Sequence, residues 1–218
     1  MSFLSYLING ISLGSVYAII ALGYTMVYGI ARMLNFAHGD IIMVGGFVIF
    51  TMVSTLGLPP LAGVLVAVIA CTVLGVVIER VAYKPLRGAS SLAVLITAIG
   101  VSYLLQNVAL LIFGSNARQF TSVVNVPSLK LAGGALSISG VTMVTIISCI
   151  VIMVVLTTFI NKTKVGQAML AVSEDTGAAT LMGINVNSTI AITFAIGSAL
   201  AAVAGALLCS AYPSLTPY

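Results

Sequence analysis

Three short clusters of polar side chains that could do chemistry stand out in this mostly apolar chain. The first places an amide, an imidazole and a carboxylate within six positions, at Asn35, His38 and Asp40, with Gly39 between the last two. The second is a pair of neighbouring amides, Gln106 and Asn107, inside a long apolar stretch. The third is an acidic pair in a loop, Glu174 and Asp175. Such groups can hydrogen-bond, line a path for a polar solute or cap a helix.

No sequence pattern indicates a metal or catalytic site. His38 is the only histidine, and the three cysteines lie in apolar stretches without a C-x-x-C spacing. The chain lacks G-x-x-x-x-G-K-[ST], so it has no P-loop to hold ATP, and it lacks H-E-x-x-H. We therefore expect no metal, no catalytic residue and no cofactor bound by this chain.

The elements that position these clusters are membrane helices. The chain is 61% hydrophobic and 6% charged. Five stretches contain no Asp, Glu, Lys or Arg: 1–31, 41–78, 88–117, 131–161 and 176–218. A helix needs about 20 apolar residues to cross roughly 30 Å of hydrocarbon. The apolar runs are too long for barrel strands and lack their alternation. The sequence predicts an all-α, polytopic transmembrane bundle forming a single domain over residues 1–218.

Six membrane segments are predicted, at Phe3–Tyr28, Ile41–Leu58, Leu61–Ile78, Leu92–Phe113, Val141–Ile160 and Thr189–Tyr212. Pro59 and Pro60 separate the second segment from the third, since proline cannot continue a helix. At about 1.5 Å per residue these two are barely long enough to cross. Whether they make two full crossings stays open at this stage.

The loop charges predict the orientation. Six cations fall on one side, Arg32, Arg80, Lys84, Arg87, Lys162 and Lys164, and only Arg118 and Lys130 fall on the other. Because cytoplasmic loops carry the excess of Lys and Arg, the N-terminus is expected outside. The cations are spread over loops without a basic run interleaved with aromatics, so we expect no nucleic-acid partner.

Two interpretations of the 35–40 cluster remain. It is either a turn in which Asp40 caps the second helix, or a broken helix whose freed backbone groups face a translocation path. We favour the turn, because polar residues at a helix start usually bond locally. Gln106 and Asn107 are either hydrogen-bonding links between helices or part of the path, and we favour the links.

Two loops are long enough for a role of their own. The loop at 114–140, placed outside, alternates apolar and polar residues around Gly133-Gly134, which predicts a hairpin near 128–139. This hairpin is either a docking surface for an external partner or a plain connector. The loop at 161–188, placed inside, is predicted to hold a short helix that begins at Ser173 as N-cap, with Glu174 and Asp175 in its first turn, and ends at Gly183.

One side of that short helix carries Ala178, Leu181 and Met182, an apolar knob that suits a groove on another protein. The motif Gly177-Ala178-Ala179-x-x-x-Gly183 resembles the EAA loop of ABC importer permeases, although Gly177 stands where that motif has Glu. The resemblance implies that residues 173–183 couple the chain to an ATPase subunit.

A second match is more specific. The run Asn35-Phe36-Ala37-His38-Gly39-Asp40, with Met43 and Gly45-Gly46-Phe47 after it, closely resembles the signature of branched-chain amino acid ABC permeases. The runs 10–18 and 79–87 are also similar to that family, so the likeness covers essentially the whole chain. Members of this family continue with further membrane segments, so we expect a form shortened at Tyr218.

The resemblance implies a permease that takes leucine, isoleucine or valine from an external binding protein and works by alternating access. It further implies a second related permease subunit and two ABC ATPase subunits that hold ATP and Mg²⁺. The alternative is an ion-coupled secondary transporter or channel for small apolar solutes. Coupled carriers usually place ionisable residues in mid-membrane, and the charge-free stretches favour the importer.

Overall fold

The computed structural model describes residues 2–120, 122–131 and 136–217. In this part of the chain the helices are α1 (Ser2–Ala31), α2 (Ala37–Phe50), α3 (Pro60–Ile78), α4 (Ser91–Phe113), α5 (Gly140–Lys162), α6 (Lys164–Glu174), α7 (Thr176–Leu181) and α8 (Val186–Ala211). Six of them, all but α6 and α7, are long and apolar enough to cross a membrane. The prediction of an all-α polytopic bundle is confirmed.

The second segment begins four residues earlier and ends three residues earlier than predicted, and the third runs past its predicted end. Helix α2 continues as a π-helix over Thr51–Thr55, and α3 continues through Glu79–Tyr83 and Lys84–Leu86. The spans become 19 and 27 residues, which are both spanning lengths. The third segment was predicted to end at Ile78 because charged residues begin at Glu79. The chain stays helical past this point, and Glu79 is buried in an ion pair with Arg87.

Helices α2 and α8 form the interior of the bundle. In their most apolar windows, 50% and 61% of the residues are buried, against 11% in α1, α4 and α5. The outer helices present apolar side chains instead, such as Leu111, which is 87% exposed. Such faces are compatible with contact to lipid or to another membrane subunit.

Glycines allow the closest helix approaches. A Cβ added at Gly205 on α8 would lie 2.8 Å from the Ile42 carbonyl oxygen of α2. A Cβ at Gly197 would lie 2.8 Å from Val27 Cγ2 and 3.1 Å from the Gly23 carbonyl oxygen of α1. Small residues at these positions therefore let α8 pack directly against α1 and α2. Small interface residues are common in membrane helices, because the hydrophobic effect does not drive helices together in lipid and close packing is needed instead.

Two small antiparallel pairings tie loops together. Strand β2 (Leu129–Leu131) pairs with β3 (Leu136–Ile138), which confirms the predicted hairpin, while its Gly133-Gly134 turn lies outside the described residues. Strand β1 (Arg118–Gln119) pairs with β4 (Ser214–Leu215), a pairing that local sequence did not predict. Because β1 follows α4 and β4 follows α8, these two helices finish at the same end of the bundle.

Candidate functional site: a broken membrane segment and an exposed helix

The connection between α1 and α2 turns back along the side of α1. Helix α1 ends at Ala31, and Arg32 adopts a left-handed conformation with φ 53°. The His38 ring, one residue into α2, packs on α1 beside Tyr24, with ring centroids 6.0 Å apart. A Cβ at Gly23 would lie 3.0 Å from His38 Cε1. Gly23 precedes the end of α1 by two turns, about 12 Å, so residues 32–36 run back alongside α1 before α2 begins.

Within this non-helical stretch Asn35 is buried, while Arg32, Leu34 and Phe36 are exposed. The Tyr83 hydroxyl lies 3.3 Å from the Leu34 carbonyl oxygen and 3.1 Å from Asn35 Oδ1. Tyr83 is fully buried and Asn35 is 2% exposed. Irregular backbone at membrane depth is tolerated only where protein or a water-filled cavity surrounds it. The backbone therefore fits the broken-helix interpretation; that the break lines a translocation path stays a prediction.

Asp40 does not cap α2, so the interpretation that we favoured for it is wrong. The helix begins at Ala37 without a side-chain cap, and Asp40 lies in its first turn. Asp40 Oδ1 accepts a hydrogen bond from Gln106 Nε2 of α4 at 2.9 Å. Its other oxygen, Oδ2, is buried without a partner, as is Nε2 of His38. The hydrogen-bond donor to Asp40 comes from a helix that is distant in sequence, so a local sequence pattern does not predict this contact.

The two neighbouring amides have different environments. Gln106 joins α4 to α2 and also donates to Ser102 Oγ at 3.3 Å, so its prediction as a link between helices is confirmed. Asn107 is exposed and, among the described residues, donates to the Tyr103 carbonyl oxygen of its own helix alone, at 2.7 Å, so the same prediction is wrong for it. Adjacent positions on a helix face different directions, and only one of the pair points inward. Gly39 is also on the exposed side.

We expect Gln106→Leu to destabilise the chain by about 1–3 kcal/mol, because Asp40 then loses the hydrogen-bond partner found in the structure. Asn107→Leu makes the same chemical change one position later, on an exposed face, and should be close to neutral. Thermal unfolding of the purified variants in detergent measures both. Equal losses in the two variants would contradict the assignment of Gln106 as a link between helices.

The loop at 161–188 contains two helices where one was predicted. Helix α6 (Lys164–Glu174) is capped by Thr163, whose Oγ1 accepts from the Gly166 amide at 3.0 Å. Met169 and Val172 of α6 are buried in the core. Helix α6 therefore anchors the loop to the bundle, and the shorter α7 projects from its end.

Helix α7 begins later than predicted. Its N-cap is Asp175, whose Oδ1 accepts from the Gly177 amide at 2.7 Å and the Ala178 amide at 2.9 Å. Ser173 and Glu174 instead belong to the last turn of α6, where Ser173 Oγ donates to the Leu170 carbonyl oxygen. The Ser173 cap is thus wrong, because the chain is still helical there. The stop at Gly183 is confirmed by its φ of +82°.

The short helix buries one residue and exposes the others. Ala179 is 3% exposed and packs in the core of the bundle. Leu181 and Met182 are 90% and 82% exposed, and Ala178 is exposed beside them. Large apolar side chains are seldom this exposed next to one another unless they form an interaction surface. These three residues, the apolar knob, are accessible to another protein.

Arg32 connects this loop to the broken segment, which sequence reasoning missed. Its Nη2 donates to the Ser173 carbonyl oxygen at 2.6 Å and to the Glu174 carbonyl oxygen at 3.1 Å. A cation at the C-terminal end of α6 is also favoured by the helix dipole. The residue that starts the non-helical connection therefore holds the end of the helix from which α7 projects.

The cap of α7 predicts a pH effect. Hydrogen bonds from the Ala178 and Gly177 amides, with the charge of Arg32, hold the pKa of Asp175 below its ordinary value. Because the pKa of Asp175 is lowered in the folded chain, the ionised carboxylate stabilises α7 at pH values above the ordinary pKa of an aspartate. This stabilisation is lost as the pH falls through the lowered pKa of the folded state. We expect faster amide exchange at Ala178 in Asp175→Ala at neutral pH, while Asp175→Asn keeps protection without the acid dependence. Exchange that is unchanged in Asp175→Ala would contradict the cap.

A buried ion pair fixes the same end of the bundle. Glu79 of the α3 extension is 1% exposed and pairs with Arg87, whose guanidinium also donates to Asn187 Oδ1 at the start of α8. Together with Arg32 these contacts lie at one end of the bundle, which also carries Arg80, Lys84, Lys162 and Lys164. We call it the basic end.

Comparison with known proteins gives consistent matches. A family model described as branched-chain amino acid transport system / permease component covers residues 6–218. The high-affinity branched-chain amino acid transport system permease proteins LivH of Salmonella typhimurium and of Escherichia coli K12 are each 42% identical over 99% of this chain and 73% of their own length. The permease protein BraD of Pseudomonas aeruginosa is 40% identical over the same shares.

No solved structure matches the chain. The family match and the curated relatives agree with the six apolar helices, and the chain is a multi-pass membrane protein without an ATP-binding motif of its own. It belongs to the family of branched-chain amino acid transport system permease components.

Proposed function

We propose that this chain is the membrane-spanning permease of an ATP-driven importer that carries leucine, isoleucine or valine across the bacterial inner membrane. The observation that carries the proposal is the 42% identity to LivH permeases over 99% of the chain. An uncovered apolar knob on α7 supports it, because a permease without an ATPase motif needs a surface that receives an external motor.

The proposed orientation puts the N-terminus outside and the basic end in the cytoplasm. Six of the eight cations belong to the basic end, in agreement with the distribution of Lys and Arg in membrane proteins. The β1–β4 pairing and the β2–β3 hairpin then lie outside, where an external amino-acid-binding protein would dock.

The proposed partners follow from two features of this chain: it lacks an ATP-binding motif, and it exposes apolar surfaces. Two ABC ATPase subunits would bind ATP and Mg²⁺ and contact the apolar knob, since this chain has no P-loop. A second related permease subunit would cover part of the outer helices. Neither a bound cofactor nor a nucleic-acid partner is part of the proposal.

Coupling would run through Arg32. A displacement of α7 and the end of α6 would pull on the two carbonyl groups that Arg32 holds, and hence on the non-helical connection at 32–36. That connection leads to Asn35, His38, Gly39 and Asp40, which with Gln106 we propose as the border of the translocation path. The exposed Asn107 would border it only from the outside of α4.

One observation leaves an ion-coupled carrier as the alternative to test. Asp40 lies inside the α2 span, is 7% exposed and has one unpartnered oxygen, so an ionisable group is present within the membrane segments after all. In proton-coupled carriers such groups move the coupling ion. Here the hydrogen bond from Gln106 gives Asp40 a structural function that needs no proton transfer.

Uptake measurements distinguish the two functions. We expect a strain that lacks this gene to regain radiolabelled leucine uptake when the gene is restored, with isoleucine and valine competing and lysine not. Depleting ATP while the proton gradient is maintained should abolish uptake. Uptake that persists without ATP and collapses with an uncoupler would instead establish the carrier.

A further inference from the structure

A polar cavity opens at the basic end, between α1, the 32–36 connection and the start of α4. It has a volume of about 330 Å³ and is bordered by Tyr28, Arg32, Leu34, Arg87, Ser91 and Leu95. None of these contacts belongs to the hydrogen bonds around Asp40 or to the apolar knob. The cavity therefore shares Arg32 and the 32–36 connection with the proposed coupling route, but its lining includes neither Asp40, Gln106 nor the apolar knob.

The cavity is bordered by two guanidinium groups and by no carboxylate among its lining residues. Within the described residues, the ion pair of Arg87 with Glu79 cancels one guanidinium, while Arg32 contacts backbone carbonyls and has no carboxylate within ion-pair distance. The Nε of Arg87 is buried without a hydrogen-bond acceptor. A charged donor without an acceptor is costly to bury, so an anionic oxygen at this place would be stabilised.

The start of α4 adds backbone donors to the border of the cavity. Ser90 caps this helix, and Ser91 begins it at the edge of the cavity. The first amides of a helix have no partners within the helix and favour anions. Two guanidinium groups and a helix start thus surround one cavity, which is the donor set that phosphate groups prefer.

The remaining border of the cavity is apolar. Leu95 and Val94 line the cavity, the neighbouring Leu92 is 64% exposed, and Tyr28 is 50% exposed at the rim. Tyrosine favours the boundary between headgroups and hydrocarbon. A ligand with a charged head and an apolar tail matches these two walls better than a free ion does.

We propose that this cavity binds the phosphate headgroup of an anionic membrane lipid, with its acyl chains along Leu92 and Leu95. Because Arg32 also holds the end of α6, the lipid would restrain the helix from which α7 projects. The lipid site itself requires only that the chain spans the membrane, so it does not depend on the proposed transport function.

The test is native mass spectrometry of the purified full chain in detergent, with equal amounts of phosphatidylglycerol and phosphatidylcholine. We expect phosphatidylglycerol to bind about tenfold more tightly. Arg32→Gln and Ala89→Glu, which puts a carboxylate at the cavity wall, should each remove this preference. Lys162→Gln removes an exposed cation at the same end, outside the cavity, and should preserve it.

Each result decides between sources of the phosphate. An equal preference for phosphatidylglycerol in the wild type and in both cavity variants would overturn the proposal. Displacement of the lipid by millimolar inorganic phosphate would also overturn it, because it would show a site for a soluble anion. Displacement by leucine would overturn it as well, because it would show a site for the substrate. If Arg32→Gln fails to fold, Ala89→Glu decides alone, because it leaves the contacts of Arg32 with α6 in place. Unfolding temperatures of the variants identify that case.

Discussion

Replacing Leu181 or Met182 by aspartate is expected to abolish leucine uptake while the permease still folds and reaches the membrane. The two side chains are 90% and 82% exposed, so neither supports the bundle. If the apolar knob enters a groove on the ATPase, each is a candidate for the few interface residues that carry most of the binding energy, about 2 kcal/mol or more. A buried charge would add a desolvation penalty. Affinity for the ATPase should therefore fall at least tenfold, measured by copurification and by light scattering.

Val165→Asp is the matched control. Val165 is also an exposed apolar residue of the same loop, at 37%, but it lies in the first turn of α6, away from the apolar knob. An aspartate there is favoured by the helix dipole and should leave ATPase binding and uptake unchanged. Binding that is lost equally in Val165→Asp, or retained in both knob variants, would refute the assignment of α7 as the coupling helix.

The largest effect on stability is expected from Glu79→Ala. It leaves the guanidinium of Arg87, which is 17% exposed, beside Asn187 without its carboxylate. Removing one member of a buried ion pair typically costs about 3–5 kcal/mol, because the other charge stays in a medium that solvates it poorly. We expect this loss in the free energy of unfolding, measured by denaturant or thermal titration in detergent.

Two variants test whether the cost comes from the unpaired charge. Glu174→Ala removes a glutamate that is exposed at the same basic end and should be nearly neutral. The double substitution Glu79→Leu with Arg87→Met removes both charges and should recover much of the loss. A double variant that is less stable than Glu79→Ala would show that packing or the Asn187 contact, and not the charge, fixes the end of α3.

Membrane burial made the helices predictable from sequence. Five stretches without a charged residue admit little besides spanning helices, because every backbone amide must be bonded inside hydrocarbon. The Pro59-Pro60 break and the stop at Gly183 were also local, since each depends on the backbone geometry of one or two residues. The β2–β3 hairpin belongs to the same class, as its strands are close in sequence.

The partners of polar side chains were not predictable in this way. Asp40 was expected to cap its own helix and instead accepts from Gln106, 66 positions away. Ser173 has the composition of an N-cap, yet α6 continues past it and Asp175 takes that position. In both cases a preference of under two kcal/mol competed with contacts that only packing supplies.

The sequence alone determined six apolar membrane segments and the approximate start and end of most of its helices, because the hydrocarbon imposes length and composition on each segment separately. Only the tertiary structure decided that α2 begins beside Gly23, that Gln106 points inward while Asn107 does not, and that Arg32 joins the broken segment to α6. Those features depend on which helices become neighbours and at what rotation. Apolar side chains around the whole circumference of a membrane helix leave that rotation unspecified.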